Sequence, residues 1–242
     1  MSPAHGAAGR GSGGNGARPA TAASAAKRRR PAKLRGAALQ KAMAQLTVAD
    51  PTLGALIERY GALPPEREGR PEHDDHYGAL LRSIVNQQLS VAAARTIYNR
   101  MLERFGGRPP TPKQILADDP EELRTVGISR PKIGYLRSLA EHVLSGELEL
   151  ERLDELPDER AIEELVAVKG LGEWTAHMFL MFHLERPDVF APGDLGIRRA
   201  IERAYSLEEP DRETLERLAE RWRPHRTLAC RYLWRSLENE PI

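Results

Sequence analysis

The chain has a single cysteine, Cys230, in 242 residues. That excludes an internal disulfide, and it excludes a zinc site or iron–sulfur cluster ligated by cysteines of this chain alone. There is also no run of the roughly 18–20 apolar residues that a membrane-spanning helix needs. The basic N-terminal stretch is not followed by an apolar core, so no secretory signal is expected. The expected location is the cytoplasm. Arginine well in excess of lysine, with plentiful alanine and glycine, suggests a bacterial source. Strand-length alternation of apolar and polar residues is missing too, which leaves an all-α fold class.

A surplus of positive charge is the next absence. The formal net charge is +1, and it conceals a split. Residues 1–36 hold eight Lys or Arg and no acid, leaving 28 basic against 35 acidic side chains in the rest. Such a body is not a generic polycation for nucleic acid, and any DNA contact must come from locally placed groups. Residues 1–38 are rich in Gly, Ala, Ser and Pro and include KRRRPAKLR. They are expected to form a disordered basic extension, either a solubilising tail or a non-specific phosphate-binding arm.

From about residue 40 the pattern is helical. VADPTLGALIERYG reads as a capped helix with Asp50 at the N-cap and Pro51 in the first position. HYGALLRSIVNQQLSVAAARTIYNRMLERFG carries a long apolar periodicity broken near Leu89 and Ser90. TPKQILADDPEELRTVG predicts two short helices, each opened by a cap and a proline. SRPKIGYLRSLAEHVLSG predicts another, with Ile133, Leu136, Leu139 and Val143 on its apolar face.

The segment LVAVKGLGEWTAHMFLMF reads as helix, V-K-G-L-G, helix. Gly170 and Gly172, flanking Leu171, allow a tight hairpin and a close backbone approach. The following helix starts with unspent N–H groups near Gly172, Trp174 and Thr175, a start that suits an anion such as a DNA phosphate. Thr175 offers a hydroxyl as well. Because these donors are neutral, they would work in a body of negative charge. Taken alone, the G-x-G equally describes an ordinary helix–turn–helix corner. Arg130, Lys132, Arg198 and Arg199 are further candidate phosphate contacts, with a solvated surface charge as the default for each.

Some twenty residues downstream lies DVFAPGDLGIRRA. A hairpin followed by a Gly/Pro-rich loop and an aspartate resembles the helix–hairpin–helix DNA glycosylases. The matching residues are Gly170, Leu171 and Gly172, then Pro192, Gly193 and Asp194. More narrowly, VKGLGEWTA, DVFAPGDLGI and AERWRPHRTLACRYLW are similar to DNA-3-methyladenine glycosylase II, as are SIVNQQLSVAAA and the 111–140 segment upstream. The resemblance covers roughly residues 45–240 and implies a two-lobed helical bundle with a cleft between the lobes. Lobe one would span about 75–150, and lobe two about 39–74 plus 151–242. It implies a compact member without the N-terminal mixed α/β lobe, a monomer acting at the nucleoid on double-stranded DNA that contains alkylated bases.

The resemblance assigns catalysis to Asp194, whose plainer reading is the N-cap of the run GIRRAIERAY. Breaking the bond between C1′ and a base nitrogen gives the sugar oxocarbenium character, which a carboxylate stabilises while it orients or deprotonates water. One carboxylate suffices when an N3- or N7-alkylated purine already carries positive charge, in contrast to the usual pair for glycosides. Bifunctional relatives place a Schiff-base lysine two residues after the second hairpin glycine. Trp174 stands there, and Lys169 precedes the hairpin, so no lyase activity is expected.

Flipping the target nucleotide calls for a wedge, and by resemblance Gln88 or Leu89 supplies it; a helix kink capped by Ser90 is the alternative. Trp174 and Trp234 match pocket tryptophans that attract electron-poor rings, while Trp222 is assigned to the core. Met178 and Leu195 stand where relatives can carry aromatics, which makes for a less aromatic base pocket. No cofactor is required. A structural Na+ or K+ ion is expected on the backbone carbonyls of Val166, Val168 and Leu171. A non-catalytic DNA-binding module of the same fold is the competing reading. Hypoxanthine, ethenoadenine and uracil are alternative lesions.

Overall fold

The computed structural model describes residues 35–64 and 75–238, and among them there are helices and no strand. The α-helices in chain order are α1 (Gly36–Ala49), α2 (Pro51–Tyr60), α3 (His76–Asn86), α4 (Val91–Arg104), α5 (Pro112–Ala117), α6 (Pro120–Thr125) and α7 (Arg130–Ser145). A short 3-10 helix (Leu150–Asp154) follows, then α8 (Asp158–Val166), α9 (Glu173–Phe182), α10 (Leu195–Tyr205), α11 (Arg212–Glu220) and α12 (Arg226–Glu238). The basic extension expected over 1–38 lies outside the described residues except at its end. There the expectation fails, because Gly36 to Ala38 already belong to α1.

Local chemistry explains the boundaries. Side chains of Asp50, Asp75, Ser90, Asp119, Asp194 and Asp211 each accept a backbone N–H from the first turn of the helix they precede. Thr111 and Gln114 form a reciprocal capping box. Proline opens α2, α5, α6 and α7, where its missing N–H costs nothing. The acidic stretch after α7 hides the 3-10 helix, which periodicity does not predict; Leu150 and Leu153 anchor it in the core.

The helices sort into two packed groups. In one, α3 packs on α4 and α7, while α5 and α6 pack on α7; in the other, α1, α2, α10 and α12 pack together. Helices α8 and α9 form the hairpin pair, and α3 crosses between the groups to touch α9 and the 3-10 helix. That crossing is why α3 is buried nearly all round, with Leu80, Leu81, Ile84 and Val85 at 0% exposure. Each of those side chains contributes about 1.5–3 kcal/mol of transfer free energy. At the same crossing His76 Nδ1 lies 2.8 Å from His183 Nε2, and Phe179 stacks on His183 with ring centroids 4.8 Å apart.

Asp50 pins the second group. One carboxylate oxygen caps α2, and the other accepts from the Tyr205 hydroxyl at 2.8 Å and from Trp222 Nε1 at 2.9 Å. Trp222 is fully buried, as its core assignment requires. Burial and the neighbouring Asp50 push the Tyr205 phenol well above its ordinary value.

Candidate active site and nucleic-acid interface

The 170–172 hairpin is built from glycine chemistry and held by the first group. Gly170 has φ +93°, and a Cβ there would lie 2.2 Å from Cγ of Tyr135. Only glycine lets the hairpin settle on that ring. The Gly170 carbonyl accepts from Gln87 Nε2 at 2.8 Å, and Leu171 N–H donates to the Val168 carbonyl at 3.0 Å. Gly172 is the extended N-cap of α9, and the place where its Cβ would stand is open. The first turn of α9 therefore presents its N–H groups with room for an incoming anion. Thr175 does not add its hydroxyl freely, because the residue is buried at 6% exposure.

Gln87 opens the turn between α3 and α4 whose tip carries the wedge candidates. Lys132 Nζ donates to the carbonyls of Val85 at 2.8 Å and Gln87 at 2.7 Å. It thus caps the end of α3 and fixes the turn. Two of the three ammonium donors of Lys132 are spent on these internal carbonyls, which leaves one for a phosphate. Burial also holds its pKa below the usual lysine value. Gln88 sits at the tip, exposed and with φ +54°; Leu89 beside it is exposed too, at 37%, and borders a cavity.

Asp194 is the N-cap of α10, and its carboxylate accepts three hydrogen bonds. Oδ1 takes Ile197 N–H at 2.8 Å and Trp234 Nε1–H at 2.9 Å. Oδ2 takes Trp174 Nε1–H at 2.6 Å. The cap reading holds, and capping fixes the direction in which the carboxylate points. Trp174 and Trp234 come together as expected, but through their indole N–H groups on the aspartate. Trp234 also stacks on Phe182, with centroids 5.5 Å apart. Gly196 makes the cluster fit, since a Cβ there would stand 3.1 Å from Asp194 Oδ1 and 3.2 Å from Trp234 Nε1.

The loop bearing Asp194 is pinned by the first turn of α12. Arg226 pairs with Asp188 at 2.8 Å, Thr227 Oγ1 donates to the Arg186 carbonyl at 2.6 Å, and Val189 N–H donates to Thr227 Oγ1 at 3.0 Å. This explains why RPHRTLACRYLW accompanies DVFAPGDLGI. Cys230 lies beneath the loop, with its thiol pushed up by burial to about 12, where it is chemically inert at neutral pH.

Beside this cluster a cavity of about 590 Å³ opens between α3, α4 and α9. Met178, Phe179 and Phe182 form its apolar wall, and Ser83, Asn86, Arg95 and Asn99 form a polar one. Trp174, Met178 and Phe182 follow at i, i+4 and i+8, so one face of α9 runs from the carboxylate into the cavity. Of the four residues expected in the base pocket only Met178 lines this cavity; Trp174, Trp234 and Leu195, the last 59% exposed, are not in its wall, and neither is Asp194. Among the other candidate phosphate contacts, Arg130 is exposed with a 3.4 Å pair to Glu121, and Arg199 is exposed. Arg198 is partly withdrawn, donating to the Pro210 carbonyl at 3.2 Å.

The sequence reading missed Gln87, Tyr135, Phe182 and Gly196. Gly196 left a signal, namely a glycine in the first turn of a helix where alanine would be about 1 kcal/mol better. The other three left none, because their partners lie far away in the chain.

Comparison with known proteins agrees with this geometry. Residues 81–224 match the HhH-GPD superfamily base excision DNA repair protein family. The chain is 35% identical over 201 residues to DNA-3-methyladenine glycosylase 1 of Schizosaccharomyces pombe, covering 82% of this chain and 87% of that protein. It is 31% identical over 186 residues to a Bacillus subtilis homologue, covering 73% of this chain but only 65% of that protein. The structure of a fission-yeast 3-methyladenine DNA glycosylase in complex with abasic DNA superposes with a TM-score of 0.73 at 34% identity, covering 84% of this chain and all of that one. The chain belongs to the HhH-GPD superfamily of base excision DNA repair proteins, among the DNA-3-methyladenine glycosylases.

Proposed function

We infer that the protein is a monofunctional DNA glycosylase that hydrolyses the N-glycosidic bond of alkylated purines, of the 3-methyladenine and 7-methylguanine class, in double-stranded DNA. It would act as a monomer in the bacterial cytoplasm, at the nucleoid. One observation carries the reading: a carboxylate oriented by a helix cap and two indoles is linked, through Trp234 stacked on Phe182, to a cavity large enough for a purine.

The hairpin N–H groups and the exposed Arg130 and Arg199 take backbone phosphates. Gln88 at the turn tip fills the gap left by the flipped nucleotide, and Leu89 walls the pocket. The C1′–N bond breaks, and the base leaves with the bonding pair, which cancels its ring charge. Asp194 stabilises the cationic sugar and accepts a proton from the water that adds at C1′. No lysine enters this scheme, since Lys132 is tied to two carbonyls and Trp174 fills the family's Schiff-base position. A monovalent cation, Na+ or K+, would sit on the carbonyls of Val166, Val168 and Leu171. The Val168 carbonyl gives one lone pair to Leu171 N–H and keeps the other for such an ion.

The polar wall of Ser83, Asn86, Arg95 and Asn99 favours a second reading in which neutral lesions such as hypoxanthine or ethenoadenine are also admitted. A panel of single-lesion duplexes, scored for base release and for nicking, separates the two. The Asp194→Asn protein should bind DNA yet lose at least about a hundredfold in 3-methyladenine release. Full activity in that variant refutes the mechanism, and nicking without alkali refutes the absence of lyase chemistry.

A further inference from the structure

The two oxygens of Asp194 are held unequally. Oδ1 accepts two donors that cannot easily move. Ile197 N–H belongs to the first turn of α10, and Trp234 is stacked on Phe182 and confined by Gly196. Oδ2 accepts one donor, the indole of Trp174, at 2.6 Å, and that ring is 48% exposed. Oδ1 is therefore the anchored oxygen. Oδ2 is the oxygen with a lone pair left for a sugar or a water, and among the described residues Trp174 is the side chain that donates to it directly.

Trp174 also stands in a particular place in the fold. Gly172, Glu173 and Trp174 form the single turn that opens α9, so the N–H groups offered to a DNA phosphate and the donor to Oδ2 share one rigid piece of backbone. On the outer side of that turn, Arg212 grips Glu173 with two hydrogen bonds of 2.6 and 2.9 Å, which lowers the Glu173 pKa and fixes the turn against α11. On the inner side the turn is followed by the α9 face that leads to the cavity. A shift of the hairpin on the DNA backbone would therefore be felt at Oδ2 through the Trp174 N–H.

We propose that Trp174 is a positioning residue whose indole N–H, more than its ring face, aims Oδ2 of Asp194 at the reacting centre and ties that aim to the seating of the hairpin on DNA phosphate. The proposal rests on Asp194 being the catalytic carboxylate. It assigns a different task from ring stacking against the base, which needs only the aromatic face.

Two replacements separate the tasks. Trp174→Phe keeps an aromatic ring and removes the donor. Replacing Trp174 with benzothienylalanine keeps the two-ring shape and exchanges only the N–H for sulfur. Both are measured by single-turnover release of 3-methyladenine from methylated duplex, by the Kd for the same DNA, and by thermal melting. Expected for both variants is a loss of about ten- to a hundredfold in the single-turnover rate, the range for one hydrogen bond to a charged group, with Kd within about twofold of wild type. In an Asp194→Asn background the Trp174→Phe change should cost nothing further, because the donor acts through the carboxylate. A benzothienylalanine protein with wild-type rate overturns the proposal and returns Trp174 to stacking. A rise in Kd that accounts for the whole loss overturns it as well. An Asp194→Asn protein with full activity would instead overturn the catalytic assignment itself, so the two failures are distinct.

Discussion

Gly196→Ala puts one methyl group into the tightest point of the Asp194 cluster. The new Cβ would stand 3.1 Å from Asp194 Oδ1, 3.1 Å from Trp234 Cδ1 and 3.2 Å from Trp234 Nε1. Contacts of about 3.5–4.0 Å are the optimum for such atoms, so a neighbour must yield by a few tenths of an ångström. Asp194 is held by the Ile197 N–H of its own helix turn, so the methyl is accommodated only by forcing Trp234 out of its stack on Phe182. Overpacking of this kind costs about 1–3 kcal/mol, and the better helix propensity of alanine returns up to about 1 kcal/mol. The net loss of stability is then about 0–3 kcal/mol, a melting shift of up to several degrees for a chain of this size. Activity is affected through a different quantity. Stretching the Trp234–Oδ1 bond removes part of a charge-assisted hydrogen bond of about 1.5–3 kcal/mol, hence about ten- to a hundredfold in rate. Thermal melting and single-turnover base release on the same preparation give both numbers. Wild-type turnover in a well-folded Gly196→Ala protein would refute the idea that glycine is there to let the indole reach the carboxylate.

Two further outcomes follow from the same contacts. Gly170→Ala combines a left-handed backbone with a Cβ placed 2.2 Å from Tyr135, so it should lose about 2–5 kcal/mol in urea unfolding; adding Tyr135→Ala should recover only part of the steric loss, because the Cβ that alanine keeps would still lie 2.6 Å away, and none of the backbone part. Tyr205 is raised by burial and by Asp50, so its proton is lost in the unfolded chain first. Its contribution is complete below the ordinary phenol value of 10.0 and falls as pH rises above it, so the alkaline decline in stability should begin near that point and be shallower in Tyr205→Phe.

Much of the helical frame was legible because helix ends are written locally. Asp50 before Pro51, Ser90 after the break, the cap before Pro112, and Asp194 before its helix all cap what they were expected to cap. The hairpin glycines were legible for the same reason. What escaped was set by how helices cross. Lys132 finds carbonyls 47 and 45 residues earlier in the chain, and Gln87 reaches a carbonyl 83 residues later. Nothing in the neighbourhood of Lys132 distinguishes it from Arg130, yet one is an internal tie and the other an exposed cation. A charge beside a motif therefore says little about DNA until its nearest carbonyls are known. The tryptophans show the same limit in a milder form. Their membership of the site was readable from the resemblance, while the turning of their N–H groups onto Asp194 was not.

Asp50 and Asp194 make the distinction sharpest, because as letters they are equivalent: each is an aspartate that opens a helix. Each also caps with one oxygen and receives a tryptophan N–H. They differ in the oxygen that remains. Asp50 gives its second oxygen to both Tyr205 and Trp222 and is 1% exposed, so it has no lone pair facing outward and serves the fold alone. Asp194 keeps an oxygen with a single donor, and that donor is a half-exposed indole one helical turn before Met178, which lines the cavity. Capping chemistry selects both residues. Only the unspent acceptor, and what it faces, fits one of them for the catalytic role proposed above.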